Sequence, residues 1–132
     1  MELEEVIITH RDSCKTYPLR RIGLGHLINW EKDTPTIQDL ITSDKFQQVN
    51  EPERGCLLIW IKNDYLHSSK YPHRIDKKGF VIWMERYNYG HCGVFEDNGI
   101  ISECYTENNK SFLSLRKYNE VRKPNFILKL KK

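Results

Sequence analysis

Residues 90–104 read GHCGVFEDNGIISEC and decide the fold of the second half of the chain. An apolar run at 92–95 is separated from a second one at 100–101 by a polar turn that contains Asn98-Gly99. Asn-Gly between two short apolar runs is a strong signal for a β-hairpin, because both residues adopt positive φ at low cost. We therefore predict two antiparallel strands joined at this turn.

A histidine and a glutamate lie near the ends of this predicted hairpin that are far from the turn. His91 begins the first strand and Glu103 lies toward the end of the second, so antiparallel pairing brings them diagonally close. A carboxylate beside an imidazole fixes its tautomer and orientation, which prepares it to act as a base. A histidine at a strand end is more commonly an ordinary surface residue, so the catalytic interpretation requires a nucleophile from elsewhere in the chain.

Composition and charge limit the classes of protein that this chain can represent. Its 132 residues fit one domain, predicted over 1–132 with a basic loop insertion at 63–79. The net charge of +3 is mild and the basic residues are interspersed with acids, which makes a nucleic-acid partner unlikely. No apolar run approaches the ~20 residues of a membrane-spanning helix.

The first residues and the cysteines indicate the compartment. The start, MELEEVIITH, lacks the cationic stretch of a secretory signal, so we expect synthesis in the cytoplasm and no signal-directed export. None of the cysteines forms a CxxC pair, which argues against a zinc ribbon. Free thiols are expected, although the two cysteines that flank the hairpin could form a disulfide in an oxidising compartment. The four are Cys14, Cys56, Cys92 and Cys104.

The order of patterns along the chain predicts an α+β fold. Residues 19–30 and 36–43 carry apolar side chains at helical spacing, and the segments at 56–62, 80–84 and 126–130 are apolar runs of strand length. Helices followed by strands are typical of α+β proteins with an antiparallel sheet. Ahead of the first helical pattern, Asp12 or Ser13 is a suitable helix N-cap, which would place Cys14 in the first helical turn.

Three segments resemble the NlpC and CHAP branches of the papain-like cysteine peptidases, which are peptidoglycan hydrolases of bacterial walls, phage tails and lysins. Residues 12–14 stand where that family carries its nucleophilic cysteine at a helix N-terminus. Residues 52–60, PERGCLLIW, resemble its Pro-x-x-Gly-Asp-Leu strand, with cysteine in place of the aspartate. Residues 90–103 resemble its histidine strand, its glycine turn and the next strand, which ends in a polar orienting residue.

This resemblance implies a fold and an activity. The fold would be a papain-like NlpC/CHAP α+β domain with N-terminal helices packed on an antiparallel sheet. The catalytic residues would be Cys14 as nucleophile, His91 as its base and Glu103 as the residue that orients the imidazole. The substrate would be a peptide or amide bond of peptidoglycan stem peptides, with no cofactor. Further partners would be other phage-tail or virion proteins, with the virion or the cell wall as the site of action.

Two alternatives stay open at this point. The chain could be a catalytically degenerate relative that serves as a structural or binding component of a virion or tail. It could also hold a metal ion through His91, Cys56 and other cysteines or histidines, although the spacings are irregular.

Overall fold

The computed structural model describes residues 3–61 and 90–131, which form a six-stranded antiparallel sheet. Across the sheet the strand order is β1-β6-β2-β3-β4-β5, and every neighbouring pair is antiparallel. The strands in chain order are β1 (Phe46–Gln48), β2 (Leu57–Ile61), β3 (Gly90–Phe95), β4 (Ile100–Glu107), β5 (Lys110–Lys117) and β6 (Phe126–Leu130).

The predicted hairpin is confirmed. Strands β3 and β4 pair with Val94 opposite Ser102 and Phe95 opposite Ile101. At the turn between them, Asn98 and Gly99 have φ angles of 61° and 72°, the left-handed region that Asn-Gly enters at low cost. The apolar run at 56–62 is also confirmed as a strand. It forms β2, in which all five residues are buried, because both faces of this strand are covered.

The described residues contain two short α-helices, and the sequence predicted one of them. Helix α2 (Ile37–Thr42) confirms the pattern at 36–43. Helix α1 (Thr16–Arg21) replaces the predicted helix over 19–30, which is wrong. The helix ends because Gly23 takes a φ of 84°, and only a 3-10 turn at Gly25–Leu27 follows.

The expected papain-like α+β fold, with helices packed on a sheet, is wrong. The described residues are mainly β, since the two α-helices have only six residues each and the sheet has six strands. Strand β5, which was not predicted from the sequence, pairs with β4 at eight positions after a turn in which Asn108 and Asn109 both have positive φ. The basic loop at 63–79 and the strand predicted at 80–84 lie outside the described residues.

Alternation along the central strands divides the buried side chains between two clusters. Because successive strand residues face opposite sides of the sheet, Leu57 and Ile59 pack on the side of α1 and α2, and Leu58 and Trp60 pack on the other side. Cys92 belongs to the helix-side cluster. Its neighbour His91, which is paired with Trp60 across β2 and β3, therefore faces the other side of the sheet.

None of the helices in the described part of the chain is long and apolar enough to cross a membrane.

Candidate active site

The His91 imidazole and the Glu103 carboxylate form a direct pair on the β3–β4 hairpin. Nε2 of His91 lies 2.8 Å from Oε1 of Glu103. The Glu103 side chain is fully buried, and that of His91 is 23% exposed. Since the hydrogen bond lies in a largely water-free environment, it holds the imidazole more firmly than the same bond would in solvent.

A glycine makes this pairing sterically feasible. A Cβ atom added at Gly93 would lie 2.9 Å from Cγ of Glu103 and 2.7 Å from Cγ2 of Ile101. Both distances are shorter than carbon atoms tolerate, so any larger residue at position 93 displaces one of these side chains. Gly93 therefore provides the space in which Glu103 lies against β3, two positions from His91.

Replacement of Gly93 by alanine is expected to lower the free energy of unfolding by about 1–3 kcal/mol, because the new methyl group overlaps Glu103 and Ile101. Urea denaturation of the purified protein measures this change. The matched control is Gly25→Ala, whose Cβ would lie 3.2 Å from the flexible Cγ of Arg20 and is expected to cost less than about 0.5 kcal/mol. Equal stability of the two variants would contradict the steric argument.

The Cys14 thiol lies beside the same imidazole. Its Sγ donates to the carbonyl oxygen of Gly90, the residue before His91, at 3.7 Å, and the thiol is close enough to the imidazole to raise the pKa of His91. Because Nε2 of His91 is bound to Glu103, Nδ1 is the ring nitrogen left for the thiol. The structure thus brings together all three side chains that the sequence nominated: Cys14, His91 and Glu103.

The backbone around Cys14 is fixed by short-range hydrogen bonds. Ser13 Oγ accepts bonds from the backbone N–H groups of Lys15 and Thr16, both at 3.2 Å. Thr16 Oγ1 accepts the Ser13 N–H at 2.7 Å and donates to buried Asp12 at 2.9 Å. Helix α1 begins at Thr16, so Cys14 lies just before the helix and not in its first turn as predicted.

The charges of the pair follow from these contacts. Burial of the imidazole disfavours its cation, but hydrogen bonds to Cys14 and Glu103 and the negative charge of both groups outweigh burial and raise the pKa of His91 to about 9. Burial likewise opposes ionisation of Glu103, but hydrogen bonds from His91 and Arg116 hold its pKa below the usual value. At neutral pH the pair is therefore an imidazolium and a carboxylate.

Arg116 is a third member of this network, and it was not predicted from the sequence. Its Nε donates to Oε2 of Glu103 at 2.7 Å, and its Nη2 donates to Oε1 at 2.6 Å. It belongs to β5, which was not predicted. The turn residues Asn108-Asn109, followed by the apolar residues Phe112, Leu113 and Leu115, were the signal that could have indicated this strand.

Aromatic rings surround His91. The Tyr105 ring stacks on the imidazole with centroids 4.8 Å apart, and the Trp60 ring lies 5.8 Å away. Phe112 stacks on Tyr105 at 6.1 Å and is 42% exposed. This aromatic wall, formed by Trp60, Tyr105 and Phe112, limits the access of water to the imidazole and provides an apolar surface next to it.

The other three cysteines are buried free thiols, whereas Cys14 is partly exposed. Burial raises the pKa of the Cys104 thiol to about 11, and it also raises the pKa of the Cys56 and Cys92 thiols. A buried thiol with a raised pKa is a poor nucleophile because little thiolate forms at neutral pH. Cys14 is therefore the one cysteine of the described residues that is placed to react.

Residues 3–61 and 90–131 contain no group of three or more His, Cys, Asp and Glu side chains arranged to hold a metal ion.

Comparisons of the chain with models of protein families, with curated proteins and with solved structures find no match.

Proposed function

We propose that this protein is a cysteine-dependent hydrolase of peptide or amide bonds. The observation that supports the proposal is an imidazole, His91, that bonds a fully buried carboxylate through Nε2 and lies beside a partly exposed thiol, Cys14, which raises its pKa. In this arrangement Cys14 is the nucleophile, His91 exchanges protons with it and with the leaving group, and Glu103 fixes the orientation of the ring.

The reaction would proceed in two steps. The Cys14 thiolate attacks the carbonyl carbon of the scissile bond, the His91 imidazolium gives its proton to the departing amine, and the C–N bond breaks to leave a thioester. His91, now neutral, takes a proton from water, and the hydroxide attacks the thioester. The C–S bond breaks, the carboxylic acid is released, and the Cys14 thiolate and the His91 imidazolium are restored.

The oxyanion that forms in each step requires hydrogen-bond donors near Sγ. In the described part of the chain, no acceptor contacts the backbone N–H of Cys14. That N–H belongs to the nucleophile itself, so it remains close to the carbonyl oxygen throughout the attack. It is the donor that we assign to the oxyanion.

Peptidoglycan stem peptides are the substrate class that we propose, with action at the cell wall or from a phage tail. The support for this choice is the resemblance of residues 12–14, 52–60 and 90–103 to wall hydrolases. The aromatic wall beside His91 is compatible with a substrate that has apolar faces.

The thiol–imidazole pair is tested without a substrate by alkylation. At pH 6.5 we expect iodoacetamide to modify Cys14 at least about tenfold faster than free cysteine, because protonated His91 stabilises the thiolate. Mass spectrometry of peptides from the treated protein assigns the rate to each cysteine. Cys56, Cys92 and Cys104 are expected to react only after denaturation, since all three are buried.

The control for this experiment is His91→Ala, which removes the imidazole and is expected to abolish the advantage of Cys14. His26→Ala, on the 3-10 turn at Gly25–Leu27, matches the chemical change away from the site and is expected to leave the rate unchanged. A Cys14 rate equal to that of free cysteine, insensitive to His91, would contradict the proposed pair.

A further inference from the structure

We propose that Arg116 is a positioning residue that acts on His91 through Glu103, holding the carboxylate in place and withdrawing part of its negative charge from the imidazole. The inference deepens the proposed hydrolase function, and its catalytic meaning rests on that function. The hydrogen bonds on which it is based are present whether or not the protein is a hydrolase.

His91 and Arg116 share the carboxylate of Glu103. Oε1 of Glu103 accepts from Nε2 of His91 at 2.8 Å and from Nη2 of Arg116 at 2.6 Å, so both donors bind one oxygen. Within residues 3–61 and 90–131, Oε2 accepts only from Nε of Arg116, at 2.7 Å. A guanidinium that bonds both oxygens fixes the plane of the carboxylate, and with it the direction from which His91 is held.

Arg116 also affects the His91 ring electrostatically. Glu103 is fully buried, so its charge is divided between the two cations that contact it and is little screened by water. The part of the Glu103 negative charge that interacts with Arg116 does not stabilise the imidazolium of His91. Arg116 therefore limits how strongly Glu103 stabilises the protonated ring.

Among the residues that the structure describes, few groups face His91 from the surrounding elements. They are Cys14 from the segment before α1, Glu103 and the Tyr105 ring from β4, and the Trp60 ring from β2. Arg116 from β5 reaches His91 through Glu103, and its guanidinium also lies 5.8 Å from the Tyr105 ring centroid. Arg116 is the only cation in this set of groups from 3–61 and 90–131, so its removal is expected to favour the protonated form of the His91 imidazole.

The experiment is an NMR titration of the His91 ring in the full chain. In Arg116→Gln we expect the midpoint of the titration to rise by about 0.5 to 1 pH unit, because the whole charge of Glu103 then acts on the imidazolium. A purely structural role predicts the opposite, since a loosened carboxylate stabilises the cation less and the midpoint falls. Arg54→Gln, which removes a cation paired with Asp97, is the matched control and is expected to leave the midpoint unchanged.

Arg116→Lys keeps the measurement decisive if Arg116→Gln does not fold. An ammonium is a point charge that cannot bond both oxygens in the plane of the carboxylate, so we expect a smaller rise of about 0.2 to 0.5 pH unit. If the midpoint does not rise above that of Arg54→Gln in any folded Arg116 variant, the inference is wrong.

Hydrolysis assays separate this result from the proposed function. If the protein hydrolyses wall peptides, the basic limb of kcat/KM is expected to move up in Arg116→Gln together with the His91 titration. A raised midpoint in a protein without Cys14-dependent hydrolysis would support the electrostatic role of Arg116 and refute the hydrolase. Hydrolysis with an unmoved midpoint would support the hydrolase and refute the role of Arg116.

Discussion

Cys14→Ala is expected to lower the rate of wall-peptide hydrolysis by about 10³-fold or more, because no other group in the site can form the thioester. The loss should appear in kcat, with the folded state intact, since Cys14 is partly exposed and is outside the buried clusters. The measurement is the release of new amino groups from purified peptidoglycan by equal amounts of the two proteins. Near- and far-UV circular dichroism verifies that the variant is folded.

Cys56→Ala is the matched control for this prediction. It removes another thiol, but one that is buried in the cluster on the side of the sheet opposite α1 and α2, with its Sγ 3.4 Å from the backbone nitrogen of Glu53. We expect it to cost about 1 kcal/mol of stability and to retain activity within about twofold. If Cys14→Ala hydrolyses wall peptides at the wild-type rate, Cys14 is not the nucleophile. A wild-type protein that lacks hydrolysis but binds wall fragments or tail proteins would favour the structural role.

Glu103→Gln is expected to lower the free energy of unfolding at pH 7 by about 3 kcal/mol, because it leaves Arg116 and protonated His91 without their buried anion. Urea denaturation measures this change. Glu107→Gln, at the exposed end of the same strand, is the control and is expected to stay within about 0.5 kcal/mol of the wild type. Equal stability of both variants would contradict the importance of the buried carboxylate.

The pH dependence of stability provides a second measurement on the same variant. The pKa of His91 is raised from 6.5 to about 9 in the folded state. Its contribution is therefore complete below pH 6.5 and is lost as the pH rises toward 9, by up to about 3 kcal/mol. The lowered pKa of Glu103 has the opposite sign, so its contribution is lost on acidification.

In Glu103→Gln we expect both dependences to weaken. The unfolding free energy should then change less between pH 6.5 and 9 than it does in the wild type, because the imidazolium has lost its carboxylate partner. Denaturation curves at pH 6, 7, 8 and 9 give the comparison. An unchanged slope between pH 6.5 and 9 would show that Glu103 does not stabilise the His91 cation.

Much of the hairpin could be predicted from residues that are close in sequence. The Asn98-Gly99 turn specifies where the chain reverses, and the alternation on either side specifies which side chains share a face. His91 and Glu103 were nominated on this basis, and the structure places them in contact. Local chemistry was sufficient here because a short turn, Asp97–Gly99 between the paired residues Glu96 and Ile100, fixes the register of its strands.

The fold class could not be predicted in the same way. Helical spacing over 19–30 indicated a long helix, yet Gly23 ends α1 after six residues. Residues 110–117 have no continuous apolar run because much of β5 is exposed, so the strand that extends the sheet had only a weak signal. Both errors moved the prediction from a mainly β protein toward an α+β one.

The sequence by itself determined the hairpin, the buried central strand and the identity of the nominated side chains. Only the tertiary structure decided that Cys14 lies against Gly90 and His91, because that contact joins segments 76 positions apart. It also decided that Arg116 holds Glu103, through the pairing of β4 with β5. The physical reason is that turns and alternation act over a few residues, whereas the approach of a thiol, an imidazole and a guanidinium depends on how the strands and α1 pack in three dimensions.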